Sequence, residues 1–451
     1  MFALLGLLAL VAVDYLRPQE YVAGLRGVPL LHMAAGLALL GYVVDLRIGL
    51  TKLRRAPHLL LALAFFAWCI LAVTLRGPGQ APARAAALAI PLAIYLLVAH
   101  GLQTFRALEI LCGLLLALSL VLAAIGVHQG LADPACYRVT IVDGDMRWNY
   151  DGRPCETRLD CEADGDPGAD YSCEKEGLFG TSSINGRVRF RGSLEDPNEL
   201  ALVLAMALPF SFAFYERKRS LTRMAIMVLA AGSIGLCTLF TQSRGGQLVF
   251  LTVLGIYFVK RVGIAKGLAL GMLLALPVLL LGGRSGAEDS TMERLECWWV
   301  GMHLFASSPV VGIGTGLFIE HHRLTAHNSY ILAAAELGLP GMVIWSSNVY
   351  LATKIPVAAL RAPLPPVARI WALAILASVA GMAVGVMFLS FNYKTTLWVY
   401  IGLTAVLYGA IRRHEPGFHV EFTRRDLGAV FLICIALVAS FTGYTGWKLG
   451  W

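Results

Sequence analysis

The sequence has few charged residues for its length. Of its 451 residues, 15% are charged and 57% are apolar, whereas soluble domains carry roughly 25% charged residues. This composition excludes an ordinary soluble globular protein. Long apolar runs occupy most of the chain, and about thirteen of them are long enough to cross a hydrocarbon core of ~30 Å. The sequence therefore predicts an all-α polytopic membrane protein with about 12–13 transmembrane helices.

The predicted spans follow the apolar runs at 2–14, 29–46, 57–75, 82–100, 105–127, 198–215, 221–241, 246–260, 264–283, 327–352, 367–390, 395–411 and 427–446. No small-residue cleavage site follows the first run, so we expect a retained span rather than a signal peptide. These spans divide the chain into five parts: an N-terminal five-helix part (1–127), a cysteine-containing loop (128–197), central helices (198–283), a second long loop (284–326) and C-terminal helices (327–451).

The net charge of +8 is not gathered into a nucleic-acid-binding patch. Lysine and arginine instead cluster in alternate loops, such as the one holding Arg217, Lys218, Arg219 and Arg223. This is the positive-inside pattern, and it predicts a cytoplasmic N-terminus with both long loops outside. We therefore expect the lipid bilayer, and no nucleic acid, as the surrounding partner.

Four of the nine cysteines lie in the first long loop, at Cys136, Cys155, Cys161 and Cys173. An even set on the non-cytoplasmic side predicts two disulfides, and the sequence leaves three connectivities open. A zinc site is the alternative, but no histidine lies near and no paired C-x-x-C is present. The acidic residues of this loop also lack the spacing of an EF-hand. We therefore expect no metal.

Three arginines alternate in the stretch GRVRFRGS, at Arg187, Arg189 and Arg191. In an extended segment they would project to one face, where guanidinium groups match phosphate oxygens in pairs. The alternative is a basic strand that contacts water or lipid headgroups. The sequence therefore leaves a candidate anion site here.

Two further polar features stand at predicted span ends. Asp196, before Pro197 and Asn198, suits a helix N-cap, which accounts for it structurally. Arg244 departs from the positive-inside pattern at the outer end of the seventh span, and two glycines follow it. It either lies in the interface as a snorkelling side chain or binds an anionic group at the outer leaflet.

The stretch from Pro309 to Gly341 combines a glycine-rich turn, PVVGIGTG, with His327 and Asn328 before an apolar segment. The glycines predict a shaped loop that delivers the histidine to the start of a helix. An imidazole with a pKa of about 6.5 suits taking a proton from a hydroxyl at neutral pH. The alternative is a capping or core histidine.

Two features flank this histidine. Residues 292–305 predict an amphipathic helix on the outer surface, with Arg294 and Trp298 on nearby faces. Glu336 falls inside an apolar span and needs a partner, for which an outer arginine is the natural candidate.

In combination, these motifs resemble the O-antigen ligase and polymerase family of bacterial envelope glycan enzymes. The most specific piece is His327-Asn328, nine residues, then Gly338-x-x-Gly341. The earlier signatures are Arg191 with Asp196-Pro197-Asn198, and Ser243-Arg244-Gly245; the loop Phe391-Asn392-Tyr393 also fits. The resemblance covers about residues 185–411. Met342 departs from the small hydroxyl residue that ligases often carry, and the cysteine-containing insertion is not a general family feature.

The resemblance implies a GT-C-like glycosyltransferase in the bacterial inner membrane, with its active site and two long loops facing the periplasm. It implies inverting transfer of an undecaprenyl-diphosphate-linked oligosaccharide to a glycan or lipid acceptor, with no metal or other cofactor. The expected catalytic residues are His327, Arg244 and Arg191, and the expected substrate-binding residues are Arg189, Asn328, Asn198 and Arg294.

We expect first a polysaccharide polymerase, of O-antigen or exopolysaccharide, with a chain-length regulator as a partner. The alternatives are an O-antigen ligase to lipid A core, a protein O-oligosaccharyltransferase, a transporter of lipid-linked sugar and a non-catalytic scaffold. Few polar residues fall at mid-membrane depth, which disfavours the transporter.

Overall fold

The computed structural model describes residues 2–52, 56–142, 145–267, 269, 273 and 287–450. The helices in these residues are α1 (Phe2–Leu16), α2 (Leu30–Arg47), α3 (Leu59–Arg76), α4 (Ala81–Gly101), α5 (Phe105–Leu131), α6 (Arg158–Ala163), α7 (Pro197–Arg217), α8 (Leu221–Phe240), α9 (Arg244–Val262), α10 (Ala287–Ser307), α11 (Ser329–Arg361), α12 (Pro366–Gly385), α13 (Thr395–His414) and α14 (Arg424–Leu449). Ten of them are long and apolar enough to cross a membrane. The prediction of an all-α polytopic membrane protein is confirmed.

Every predicted span within the described residues coincides with a helix. Two of these helices, α1 and α13, are not among the ten. α1 has 15 residues, and α13 ends in Arg412, Arg413 and His414, which lower its mean hydropathy. The span predicted at 264–283 lies mostly outside the described residues.

Helix ends alternate between two faces of the bundle. At one face, Arg217 at the end of α7 donates to Glu109 near the start of α5 (3.0 Å). At the other, Arg84 near the start of α4 donates to the Gly316 carbonyl (2.8 Å). Residues 132–196 also lie at this second end, which we call the disulfide face. The basic loops lie at the first end, which we call the opposite face.

The disulfide unit, residues 132–183, carries a small antiparallel sheet that the sequence analysis did not predict. Its strands are β1 (Pro134–Val142), β2 (Asp145–Pro154) and β3 (Asp170–Lys175), in the order β2-β1-β3. Disulfides join Cys136 to Cys161 and Cys155 to Cys173. The predicted pair of disulfides is confirmed, with one of the three connectivities selected and all four thiols paired.

The last turn of α5 holds the disulfide unit against the helices. The Gln129 carboxamide donates to the Thr181 hydroxyl (3.1 Å) and accepts from the Arg189 N–H (2.9 Å). The Lys175 ammonium donates to the Gly130 carbonyl (2.7 Å). Side-chain hydrogen bonds therefore fix the disulfide unit to the helix bundle, in addition to the chain connections at its two ends.

Helix α11 is broken at Gly338, whose φ of 66° and ψ of −174° lie in a region open essentially to glycine alone. Carbonyls freed in an apolar bundle must find other donors. Three donors satisfy them: the Trp68 indole N–H to Leu337 (2.8 Å), the Ile313 N–H to Ala335 (2.9 Å) and the Gly314 N–H to Glu336 (3.0 Å). The loop at 309–316 therefore fills the break, as its glycines predict.

Replacing Gly338 with alanine tests this fit. A Cβ there would lie 2.4 Å from the Val310 carbonyl oxygen, and the strained backbone itself costs about 1–3 kcal/mol. We expect Gly338→Ala to lower the thermal midpoint of the purified protein. Gly255→Ala in α9, where a Cβ meets nothing within 4 Å, is the matched control and should not lower it. Equal midpoints for both variants would contradict the packing described.

Single cysteines test which face is outside. We expect Ile319→Cys, which is exposed at the disulfide face, to react with a membrane-impermeant maleimide in spheroplasts. Gly417→Cys, which is exposed at the opposite face, should react only after lysis. The five native free cysteines are buried and give a low background. The reverse labelling order would invert the predicted orientation.

Candidate active site

His327 lies between the glycine-rich loop and the start of α11, at the disulfide face. Its backbone is left-handed, with φ of 46°, and its side chain is half-buried. The imidazole makes no hydrogen bond with any residue that the structure describes. A ring held in this way is available to a hydroxyl of a substrate.

The charges around His327 come from two other parts of the chain. Burial lowers the pKa of His327 below its ordinary value, and the guanidinium of Arg294 lowers it further. Asp196 and Glu293 act in the opposite direction, and His322 adds to the lowering. The imidazole is therefore neutral at pH 7 and can accept a proton.

Asn328 caps helix α11. Its side-chain oxygen accepts from the backbone N–H groups of Tyr330 (2.9 Å) and Ile331 (3.2 Å), and the residue is fully buried. These bonds fix the start of the helix directly after His327. The Asn328 carboxamide thus fixes the backbone next to His327 and so helps to position the imidazole.

The arginines of the 187–191 segment do not converge on one space. Arg187 donates to the Thr241 carbonyl (3.0 Å) and to the Asn198 side-chain oxygen (3.1 Å). Asn198 in turn donates its side-chain N–H to Asp196 (2.8 Å). Arg187 therefore ties the turn before α9 to the start of α7, which brings two of the predicted motifs together.

Arg189 and Arg191 reach a different neighbour, the segment that follows the disulfide unit's last strand. Arg189 is buried, donates to the Ser182 carbonyl (3.0 Å) and pairs with Glu195 (3.2 Å). Burial lowers the pKa of Arg189. Arg191 donates to the carbonyls of Phe179 and Gly180. Both side chains therefore support this segment.

Arg244 is the first residue of α9. The Ser243 hydroxyl caps the helix by accepting from the Gly246 N–H (3.0 Å). The Arg244 side chain is exposed, and no hydrogen bond or ion pair joins it to a described residue. Its guanidinium is therefore open to an anion.

The loop at 386–392 connects Arg244 with His327. A Cβ on Gly245 would lie 3.2 Å from Phe388. The same loop binds Ser329, whose hydroxyl donates to Leu389 (2.7 Å) and accepts from the Phe391 N–H (2.8 Å). The starts of α9 and α11 are therefore packed on one loop at one face. Within the described residues, neither Arg244 nor Arg191 forms a hydrogen bond or ion pair with His327.

Arg294 comes from α10, which does not lie alone on a surface. Trp298 of this helix stacks edge-on against Phe441 of α14 (5.3 Å between ring centres), and Gly301 packs against Ile331 of α11. This packing holds Arg294 beside His327, so the predicted link between these two motifs has a structural basis.

Several contacts around the site differ from the sequence analysis or were not predicted by it. The Glu336 carboxylate accepts from the Tyr393 hydroxyl (2.8 Å) and from the Phe318 N–H (3.2 Å), not from an arginine as predicted. Lys394 pairs with Glu199 (3.0 Å) and so joins the 386–392 loop to α7. Asp196 was assigned only a capping role, and nothing in the sequence signalled its position near His327.

Parts of this chain are similar to known proteins. Residues 220–346, which hold Arg244 and His327, match the family described as O-Antigen ligase. The "Exopolysaccharide production protein ExoQ" of Rhizobium meliloti (strain 1021) is 26% identical; the match covers 37% of this chain and 47% of that protein, so it spans about half of the relative's length.

A chain in the solved structure titled "Structural coordination of polymerization and crosslinking by a peptidoglycan synthase complex" is 17% identical, with a TM-score of 0.44 over 80% of this chain and 97% of that chain. The family match over residues 220–346, together with the similarity to the exopolysaccharide production protein, confirms the resemblance to the O-antigen ligase and polymerase family that the motifs indicated.

Proposed function

We propose that the protein transfers an undecaprenyl-diphosphate-linked glycan to an acceptor hydroxyl at the disulfide face, as a polysaccharide polymerase. The family match over residues 220–346 and the similarity to the exopolysaccharide production protein support a role in envelope polysaccharide biosynthesis. The observation that carries the finer proposal is that two unengaged groups, the imidazole of His327 and the guanidinium of Arg244, occur at one face, each close in sequence to a residue that packs on the 386–392 loop.

In the proposed reaction, the neutral imidazole of His327 takes the proton of the acceptor hydroxyl as its oxygen attacks the anomeric carbon. The bond from that carbon to the diphosphate oxygen breaks, which inverts the configuration. The leaving diphosphate gains negative charge, and Arg244 binds it through paired N–H groups. The proton taken by His327 passes to solvent before the next cycle.

The other predicted residues flank this reaction. We assign Arg191 to the far side of the diphosphate because it belongs to a motif of the family that the chain resembles, and we place Arg189, two residues earlier in the same basic stretch, behind it. Asn198 and Asn328 hold the two helix starts, and Arg294 tunes the imidazole and contacts the acceptor. The proposal uses no metal and no other cofactor.

Transfer to lipid A core, as a ligase, is the second candidate, and the description of the matched family as O-Antigen ligase favours it. Met342 does not decide between the two, because its side chain is fully buried. The preference for a polymerase rests on the disulfide unit, which enlarges the disulfide face beside the site. A ladder of product lengths identifies the polymerase, and a single addition to lipid A core identifies the ligase.

Substitutions at two positions test the proposed site. We expect His327→Ala to lower transfer by about 10²–10⁴-fold, the usual contribution of a general base, and Arg244→Ala to abolish it. Arg244→Lys should also lose most activity, because a lysine cannot make paired contacts. Purified protein with the lipid-linked donor in detergent, assayed by gel for product, provides the measurement. The control is Arg219→Ala, an exposed arginine at the opposite face; full activity in both site variants would remove the assignment.

The pH profile tests the role of His327 separately. Because only the neutral imidazole accepts a proton, kcat/KM should rise with pH through a pKa below the ordinary value of about 6.5. Arg294→Gln removes a positive neighbour, so the pKa rises and the acidic limb moves to higher pH. Asp196→Asn removes a negative neighbour but keeps a good helix cap, so the limb moves to lower pH. Limbs that stay in place, or move in the same direction, would show that another group titrates.

A further inference from the structure

The disulfide unit contains a cavity of about 670 Å³ that the proposed reaction does not use. It lies between β3, the residues before and at the start of α6, and the turn at 184–186. Its volume falls in the range of about 300–1,000 Å³ that is usual for small-ligand sites. Its lining includes three acidic side chains (Glu156, Asp170 and Glu174), two basic ones (Arg158 and Lys175) and the uncharged polar Thr157, Ser172 and Asn185.

The charges of this lining largely balance one another. Arg158 lies 3.6 Å from Asp170 and also pairs with Glu162. The hydroxyl and carboxamide groups beside them offer both donors and acceptors. Such a lining suits a ligand rich in hydroxyl groups and low in net charge, which is the chemistry of an uncharged oligosaccharide.

The walls of the cavity are fixed before any ligand enters. The buried carboxylate of Glu174 accepts from the Ser172 hydroxyl (2.8 Å), the Asn185 N–H (2.7 Å) and the Gly186 N–H (3.2 Å). It also accepts from the Ser183 hydroxyl. The cost of ordering the site on binding is therefore small.

The cavity adjoins the candidate active site. Gly186 lines it, and the next residue, Arg187, binds Asn198 and the Thr241 carbonyl at the starts of α7 and α9. The segment 186–187 therefore links the wall of the cavity to the helix starts beside the candidate active site.

We propose that this cavity binds sugar residues of the acceptor glycan, at a distance from the hydroxyl that reacts. The inference rests on the proposed function, since it assigns a subsite for the same transfer. Such contacts lie away from the reacting hydroxyl and are the same in the bound acceptor and in the transition state. They therefore lower the acceptor KM and do not change kcat.

The experiment fills the cavity with Val139→Trp. Val139 lines the cavity, and an aromatic residue is well tolerated in a strand. Arg138→Trp is the matched control, because neighbouring strand residues point to opposite faces and its ion pair with Asp166 is exposed. The probe is a set of lipid-free oligosaccharides released by mild acid from the cells' own surface polysaccharide. Binding to the full chain in detergent is measured by calorimetry.

We expect the wild type and Arg138→Trp to bind the probe alike, and Val139→Trp to bind it at least about tenfold more weakly. In the transfer assay, Val139→Trp should raise the acceptor KM by about the same factor, with kcat within about twofold and the donor KM unchanged. Arg158→Gln is a second variant that alters only an exposed ion-paired side chain; it should weaken binding even if Val139→Trp does not fold.

The outcomes separate this proposal from the proposed function. Equal probe binding by the wild type, Val139→Trp and Arg158→Gln, with transfer intact, overturns the acceptor subsite and leaves the transferase standing. Binding that both variants weaken, in a wild-type protein that transfers nothing, supports the subsite as a glycan site and overturns the transferase. No probe binding by the wild type overturns the subsite outright.

Discussion

The break in helix α11 is the constraint on which the rest of the structure depends. In an apolar bundle, carbonyls released at Gly338 must find donors, and the loop at 309–316 supplies two of them. Glu336, on the helix side of the break, then binds the backbone of Phe318. These contacts fix the loop at both ends, so the chain reaches His327 in one position rather than in many.

The sequence predicted the parts of this arrangement that depend on pattern. The apolar runs predicted the positions of the helices, the even number of loop cysteines predicted two disulfides, and the glycines predicted the loop at 309–316. What it could not predict is which groups meet. Arg189 and Arg191 both donate to backbone carbonyls at 179–182. Every residue has a backbone carbonyl, so the sequence does not indicate which carbonyls these arginines bind. The disulfide connectivity likewise depends on a small sheet whose strands have no strong alternation.

The candidate site combines neighbours with opposed effects on one imidazole. Arg294 belongs to α10 and Asp196 to the segment before α7. Arg294 lowers the pKa of His327, and Asp196 raises it. Asp196 is informative because one carboxylate both caps a helix and acts on the histidine. The sequence explained Asp196 as a helix cap, and only the structure shows that its carboxylate also acts on His327.

The left-handed backbone of His327, with φ of 46°, has a consequence for how such a protein evolves. A residue with a Cβ is less stable in this region than glycine by about 1–2 kcal/mol, so the chain folds in spite of its own histidine at this position. A glycine would relax the turn and yield a more stable protein, but it would remove the proposed base. Under the proposed function, selection for stability and selection for activity therefore oppose each other at this one residue.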